Sequence, residues 1–297
     1  MNACCVFPPL SAKNTKSLIL TVPSWTDKIR DFFIWASEHS DVAMCVGLPC
    51  NFSTLYSAEG HDEMSESVSR EMSLLYPRSG ECDVWILPLD FDDARTAASM
   101  TMLTPAERVR ANAFKVSPPR HRFVQTRAAL RLLLGACLNV DASLVGIEQD
   151  AGGKPSTPER PDCQFNVSHS GVYALLAIGH GHELGVDIEC QRDTGDLDLL
   201  ASNVLSPGEQ AVWHALPEVA KLPAFFSLWT KKEALSKALG LGIALPFHTL
   251  DIGLNAVLEP VAEGPQLVSV PDYGSCKLYP LSLPSGYSGA LAIRQPH

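Results

Sequence analysis

Apolar and polar residues along this chain fall into two recurring patterns. Short apolar runs, Val84-Trp85-Ile86-Leu87 and Tyr173-Ala174-Leu175-Leu176-Ala177-Ile178, read as strands, the second closing on a Gly-His-Gly-His turn. Gly185-Val186-Asp187-Ile188-Glu189 follows as a further strand. Its period of two puts both carboxylates on one face. Two longer segments, Phe123 to Gly135 and Phe225 to Gly240, read as helices. In the second, Leu228, Leu235 and Leu239 form the inward face, while Glu233 and Lys237, four apart, share the opposite one. Each long helix is preceded by a shorter helix start. Leu103-Thr104-Pro105-Ala106-Glu107 and Leu205-Ser206-Pro207-Gly208-Glu209 both carry a hydroxyl N-cap, proline at the first helical position and glutamate at the third. The run Leu239 to Ile243 is a helix stop, not a nucleotide loop.

The two helix starts lie about a hundred residues apart, so the chain reads as an internal duplication. The expected fold is α+β: two similar halves, 82–180 and 181–297, meeting near Gly179-His180-Gly181 with a cleft between them. Residues 1–81 read as an unassigned N-terminal extension of low expected order, with one short amphipathic helix over Ile29 to Ala36 and a turn at Pro77-Arg78-Ser79-Gly80. Met64 and Met72 precede the first strand, which suggests that the extension is dispensable or that translation starts late.

Composition narrows the class. A chain of 297 residues with 46% hydrophobic and 19% charged residues is ordinary globular material, long enough for two modest cores. A formal charge of −10 argues against general nucleic-acid binding. Nine scattered cysteines disfavour a disulfide framework or a structural zinc site and suit a reducing compartment. Neither a convincing signal peptide nor a run of membrane-spanning length is present, so a cytoplasmic location is expected. Charge is uneven, however. Between Thr101 and Gly135 stand seven basic residues (Arg108, Arg110, Lys115, Arg120, Arg122, Arg127 and Arg131) against one acid, Glu107. That cluster is either an anion site or a solvated helix face.

Asp187, Glu189 and Glu233 are more negative charge than a dry site tolerates without a counter-ion. Hard oxygen donors in that number suit a divalent cation of the magnesium type, and a lysine one turn beyond a metal carboxylate suits a phosphate. Taken alone, Asp-x-Glu also reads as a strand end entering a polar loop. Counted back from Gly135 and Gly240, Glu233 falls opposite Ala128, so only the second half carries the third acid. The first half, with Arg122, Arg127 and Arg131, is left to hold an anion.

These residues resemble the paired signatures of the Sfp-type phosphopantetheinyl transferases. The likeness rests on Gly185-Val186-Asp187-Ile188-Glu189, on Trp229-Thr230-x-Lys232-Glu233-Ala234-x-x-Lys237-x-x-Gly240-x-Gly242, and on Gly152-Gly153-Lys154-Pro155 followed by Phe165-Asn166-Val167-Ser168-His169-Ser170. It spans roughly residues 82 to 297. The resemblance implies a 4′-phosphopantetheinyl transferase (a holo-[acyl-carrier-protein] synthase). Such an enzyme moves the phosphopantetheine arm of coenzyme A to a carrier-protein serine and releases adenosine 3′,5′-bisphosphate. It further implies Mg2+ on Asp187, Glu189 and Glu233, with coenzyme A held by Arg122, Arg131, Lys154, Pro155, Ser168, His169, Lys232 and Lys237. Glu233, or a metal-bound water relayed through it, would take the serine proton, and Lys237 would meet the transferred or departing phosphate.

The partners implied are acyl, peptidyl or aryl carrier domains, acting with a monomeric enzyme. Leu205, Val212, Trp213 and Leu216 are candidates for an apolar docking face, or for core. Two other readings stand beside this one: a non-catalytic regulator that binds coenzyme A and carriers, and an unrelated magnesium-dependent phosphohydrolase. The complete acid trio argues against the first. The second has no account of the duplication or of the paired lysines.

Overall fold

The computed structural model describes residues 72–76, 81–89, 91–149, 154–254 and 264–296. The expected helix over Ile29 to Ala36, the turn at Pro77 to Gly80, and Gly152 and Gly153 lie outside them. In chain order the first sheet's strands are β1 (Ser73–Tyr76), β2 (Cys82–Pro88), β5 (Cys163–Ser170) and β6 (Tyr173–His180). The second sheet has β7 (Leu184–Cys190), β8 (Gln266–Val270), β9 (Gly274–Pro280) and β10 (Tyr287–Arg294). A two-residue pair, β3 (Glu148–Gln149) and β4 (Pro155–Ser156), stands apart. The helices are α1 (Asp93–Met100), α2 (Pro105–Ala113), α3 (Ser117–Leu138), α4 (Leu197–Val204), α5 (Pro207–Trp213) and α6 (Glu218–Leu239).

Both four-stranded sheets are antiparallel, in the orders β1-β2-β6-β5 and β7-β10-β9-β8. Strand alternation sorts their side chains into layers. Ala174, Leu176, Phe165 and Val167 pack against Ala129, Leu130, Leu133 and Leu134 of α3. Val84, Ile86, Leu175 and Ala177 turn the other way, onto Leu184, Val186, Ile188, Leu291 and Ile293 of the second sheet. α6 covers the far side of β7 and β10. The α+β architecture expected from the sequence is the one observed. β1 falls within the segment expected to be an extension, yet it pairs with β2, and Met72 beside it is buried in the first core.

The duplication extends to the caps. Thr104 and Ser206 each accept from the backbone N–H of Glu107 and Glu209, and each glutamate returns to the cap N–H at 2.8 Å. The long helices both contain 22 residues and end on left-handed caps, Asn139 (φ 55°) and Gly240 (φ 69°). Gly135 therefore does not end α3, as the sequence suggested. It lies inside the helix, where a Cβ would strike the carbonyl of Val140 and the backbone of Ala142 in the returning loop. Aligned on their last residues, Leu138 and Leu239, Arg131 falls opposite Lys232 and Glu233 opposite Leu132. The third acid is still private to the second half.

Candidate active site

β7 brings Asp187 and Glu189 to the face covered by α6, because Val186 and Ile188 are taken up by the core between the sheets. Gly185 sets how near the helix comes. A Cβ there would collide with the backbone of Ala234 and Ala238 and with the Lys237 side chain. That close approach lets Glu233 and Lys237 reach the two carboxylates. Lys237 Nζ donates to Asp187 Oδ1 (2.8 Å), to Ser168 Oγ (3.2 Å) and to the Val186 carbonyl (3.2 Å).

The electrostatics follow from this crowding. Burial, then the negative charge of Asp187, pushes Glu189 up to about 7, although Ser170, Arg192 and Lys237 oppose the shift. Glu233 is pushed up to about 8 by burial, Asp187 and Glu189, against Lys237. Burial disfavours the Lys237 ammonium, but Asp187 and Glu233 outweigh it and hold that group above the usual lysine range. One lysine thus faces three acids.

Asp187 Oδ2 is buried and accepts no hydrogen bond. Ser170 Oγ (2.6 Å) and Arg192 Nη1 (4.0 Å) both approach Glu189 at Oε2. An orphaned buried carboxylate oxygen beside two acids with raised proton affinity is a site short of positive charge, and its hard oxygen donors fit a cation of the magnesium type. Among the described residues, no three His, Cys, Asp or Glu side chains already stand close enough to enclose an ion. Binding one would have to draw the three carboxylates together against their mutual repulsion.

β5 contributes a feature that the sequence reading missed. β5 and β7 are edge strands of different sheets. Asn166 Oδ1, Ser168 Oγ and Ser170 Oγ accept in turn from the N–H groups of Val186 (2.9 Å), Ile188 (3.4 Å) and Cys190 (3.0 Å). Side chains of one strand thus replace the missing ladder of the other. The same two hydroxyls donate onward, Ser168 to Asp187 Oδ1 (2.8 Å) and Ser170 to Glu189 Oε2 (2.6 Å). The signal was present in the alternation of Asn166, Ser168 and Ser170 with Phe165 and Val167.

Other expected residues distribute unevenly. Ser168, expected against phosphate, is buried and turned to Asp187 and Lys237. His169 alternates to the opposite side of β5 from Ser168 and is half-buried. Arg122 is half-buried, donates to the Gly171 carbonyl just beyond Ser170 (3.3 Å), and lies over Phe91, within electrostatic range of Arg192. Lys154 is half-buried, and Pro155, in the β3–β4 pair, is buried.

Two expectations are corrected. Arg131 does not present itself to a nucleotide. It is buried, paired with both oxygens of Glu107 (2.8 and 3.1 Å), and donates to the carbonyls of Ala142 and Val145 (2.9 and 3.1 Å). Burial works against the Glu107 carboxylate, but the bonds from Arg131 and the Thr104 N–H, with Arg127 nearby, hold it below its usual range. Lys232 is likewise spent. Its Nζ donates to Glu209 Oε2 (2.6 Å) and to the carbonyls of Val204 and Phe247 (2.9 Å each), and both members of the pair are 0% exposed. The two cations are equivalents in the duplication, each clasping the capping-box glutamate of its own half. Of the docking candidates, Leu205 and Trp213 are core residues, while Val212 and Leu216 remain half-exposed.

Comparison with known proteins gives the family. Residues 183–276 match the model of the 4′-phosphopantetheinyl transferase superfamily, and residues 92–180 match that of the 4′-phosphopantetheinyl transferase N-terminal region. The chain is 34% identical over 205 residues to the 4′-phosphopantetheinyl transferase HetI of a Nostoc species, covering 68% of this chain and 84% of that protein. It is 26% identical over 199 residues to the 4′-phosphopantetheinyl transferase Sfp of Bacillus subtilis, covering 66% and 84%. A shorter match, 36% identical over 129 residues, is to AcpT of Salmonella typhimurium, covering 43% and 65%.

Proposed function

This chain belongs to the 4′-phosphopantetheinyl transferase superfamily, and from that premise we propose that the cluster of Asp187, Glu189, Glu233 and Lys237 is its reaction centre. The enzyme transfers the phosphopantetheine moiety of coenzyme A to a serine of a carrier protein, converting the apo carrier to holo. The observation that carries the assignment is the buried, unpartnered Asp187 Oδ2 beside two carboxylates with raised proton affinity.

Asp187, Glu189 and Glu233 would hold Mg2+, which supplies charge neutralisation at the pyrophosphate of coenzyme A when bound. Lys237 neutralises the phosphate that leaves, from its place across Asp187 and Ser168. Glu233, directly or through a water, takes the proton of the attacking serine hydroxyl at a carboxylate oxygen, once the cation it would help to hold has kept that carboxylate ionised. The serine oxygen forms a bond to the β-phosphorus as the bond to 3′,5′-ADP breaks, with no covalent enzyme intermediate. Arg122 and Arg192, cations within electrostatic range at the Glu189 end, favour an anion there. Lys154, Pro155 and His169 are read as lining the nucleotide end. The carriers served are of the acyl, peptidyl or aryl type, met by a monomer in the cytoplasm. Among the described residues no helix is long and apolar enough to cross a membrane.

The test is the mass gain of an apo carrier incubated with coenzyme A, Mg2+ and the full chain. Asp187→Ala and Glu233→Ala should each slow transfer by about a hundredfold or more. Transfer at wild-type rate by either variant removes that residue from the centre. Arg122→Ala and Lys154→Ala should raise the KM for coenzyme A. If one contacts the 3′-phosphate, its penalty should vanish with dephospho-coenzyme A; equal losses on both substrates put the side chain elsewhere.

A further inference from the structure

Ser170 sits where two demands meet. β7 pairs with β10 through one edge and offers the N–H groups of Val186, Ile188 and Cys190 on the other. Left unpaired and away from water, each would cost free energy comparable to a lost hydrogen bond. Ser170 Oγ accepts the last of them, from Cys190 at 3.0 Å. A hydroxyl has a single proton to give. With one of its two lone pairs taken by β7, Ser170 directs that proton to Glu189 Oε2 at 2.6 Å, the shorter of the two bonds that β5 hydroxyls make to the acids. The serine is buried, so water does not compete freely for the bond.

The consequence is a fixed rotamer for a long, flexible acid. Glutamate has three side-chain torsions, and among the described residues Glu189 has no ion-pair partner closer than Arg192 at 4.0 Å. The Ser170 bond ties Oε2 back toward β5 and so sets the direction in which Oε1 is presented. Ser168 does the corresponding work on Asp187, but it also meets Lys237. Among the described residues, Ser170 Oγ hydrogen-bonds only with Glu189 and with the Cys190 N–H of β7.

We infer that Ser170 is a positioning residue for the divalent cation: it orients Glu189 as a ligand while closing the seam between the two sheets. This rests on the assignment of Asp187, Glu189 and Glu233 as the cation's ligands. Groups that orient metal ligands typically change metal affinity or activity on the order of ten- to a hundredfold when removed.

The experiment is a calorimetric titration of Mg2+ and of Mn2+ into the full chain with coenzyme A bound and no carrier present. It is run on wild type, Ser170→Ala, Ser170→Thr and Asp187→Ala, with the metal-free thermal midpoint measured for each. Ser170→Ala should weaken cation binding by about tenfold or more. Ser170→Thr, which keeps the hydroxyl, should restore most of it, and the Mg2+ midpoint of transfer should move in parallel. A Ser170→Ala protein with a lowered thermal midpoint but unchanged cation affinity overturns the inference, since the serine would then be only a seam contact. If Ser170→Ala does not fold, Ser170→Cys keeps the volume while weakening both bonds, and the same two outcomes apply. Unchanged cation affinity in Asp187→Ala points to a different failure, that of the ligand assignment itself.

Discussion

Lys232 offers the sharpest test of how a cation in a signature motif is used. Its ammonium gives all three protons to protein acceptors, Glu209 Oε2 and the carbonyls of Val204 and Phe247, with no exposure on either member of the ion pair. Lys232→Met keeps the length and removes the charge. It leaves Glu209 with the N–H groups of Ser206 (2.8 Å), on the same Oε2, and of Ile252 (2.9 Å), on Oε1, and with Lys231 within electrostatic range. Breaking a buried pair by removing one partner costs about 3–5 kcal/mol. Each orphaned carbonyl adds roughly 1–3 kcal/mol, less where the site relaxes. Against a total stability of about 5–15 kcal/mol, this is a large fraction. For a chain of this size the pair alone corresponds to a fall in Tm of roughly 6–20 °C. Lys232→Met/Glu209→Gln removes both charges, so in a double-mutant cycle it should lose less than the two single variants summed. The assay is thermal and urea unfolding of all three variants, with the KM for coenzyme A measured below their midpoints. The folded fraction should bind coenzyme A as wild type does. A Lys232→Met protein with native stability and a raised KM would refute the reasoning and return Lys232 to the phosphate.

The remaining predictions concern the seat of the acids. Gly185→Ala should cost stability and transfer together, because the added methyl meets the backbone of Ala234 and Ala238 and pushes α6 from β7. Circular dichroism melts and the carrier assay would read both losses, and an unaffected variant would mean that the close approach is not needed. The metal-free protein should lose stability as pH rises. Glu189 and Glu233 titrate at about 7 and about 8 in the fold, but near 4.3 when unfolded. The folded state therefore binds more protons across that window, so stability is highest below it and falls between roughly pH 4 and 8. Mg2+ with coenzyme A should flatten the slope. A metal-free profile that is flat or rises over this range would contradict the crowding of the three acids.

What the sequence determined by itself was local chemistry with a short range. The cap, proline and glutamate of Thr104 to Glu107 and Ser206 to Glu209 dictate helix starts, because every partner lies within three residues. Period two along Gly185 to Glu189 placed both acids on one face, and the four-residue spacing of Glu233 and Lys237 placed them on another, so the α+β class and the core of the site were legible. The uses of Arg131 and Lys232 were not. Their helices are buried on most sides, so a helical wheel does not say which way a cation turns, and their partners stand 24 and 23 residues away. The extent of β1 and the true end of α3 depended on pairing and on the returning loop, not on local propensity. The seam between β5 and β7 was hidden for the same reason. Alternating Asn166, Ser168 and Ser170 look like the solvent face of a strand until a second sheet edge, with its unpaired N–H groups, is brought alongside. Only tertiary packing supplies that edge, and it converts three polar side chains into the frame that holds the acids in place.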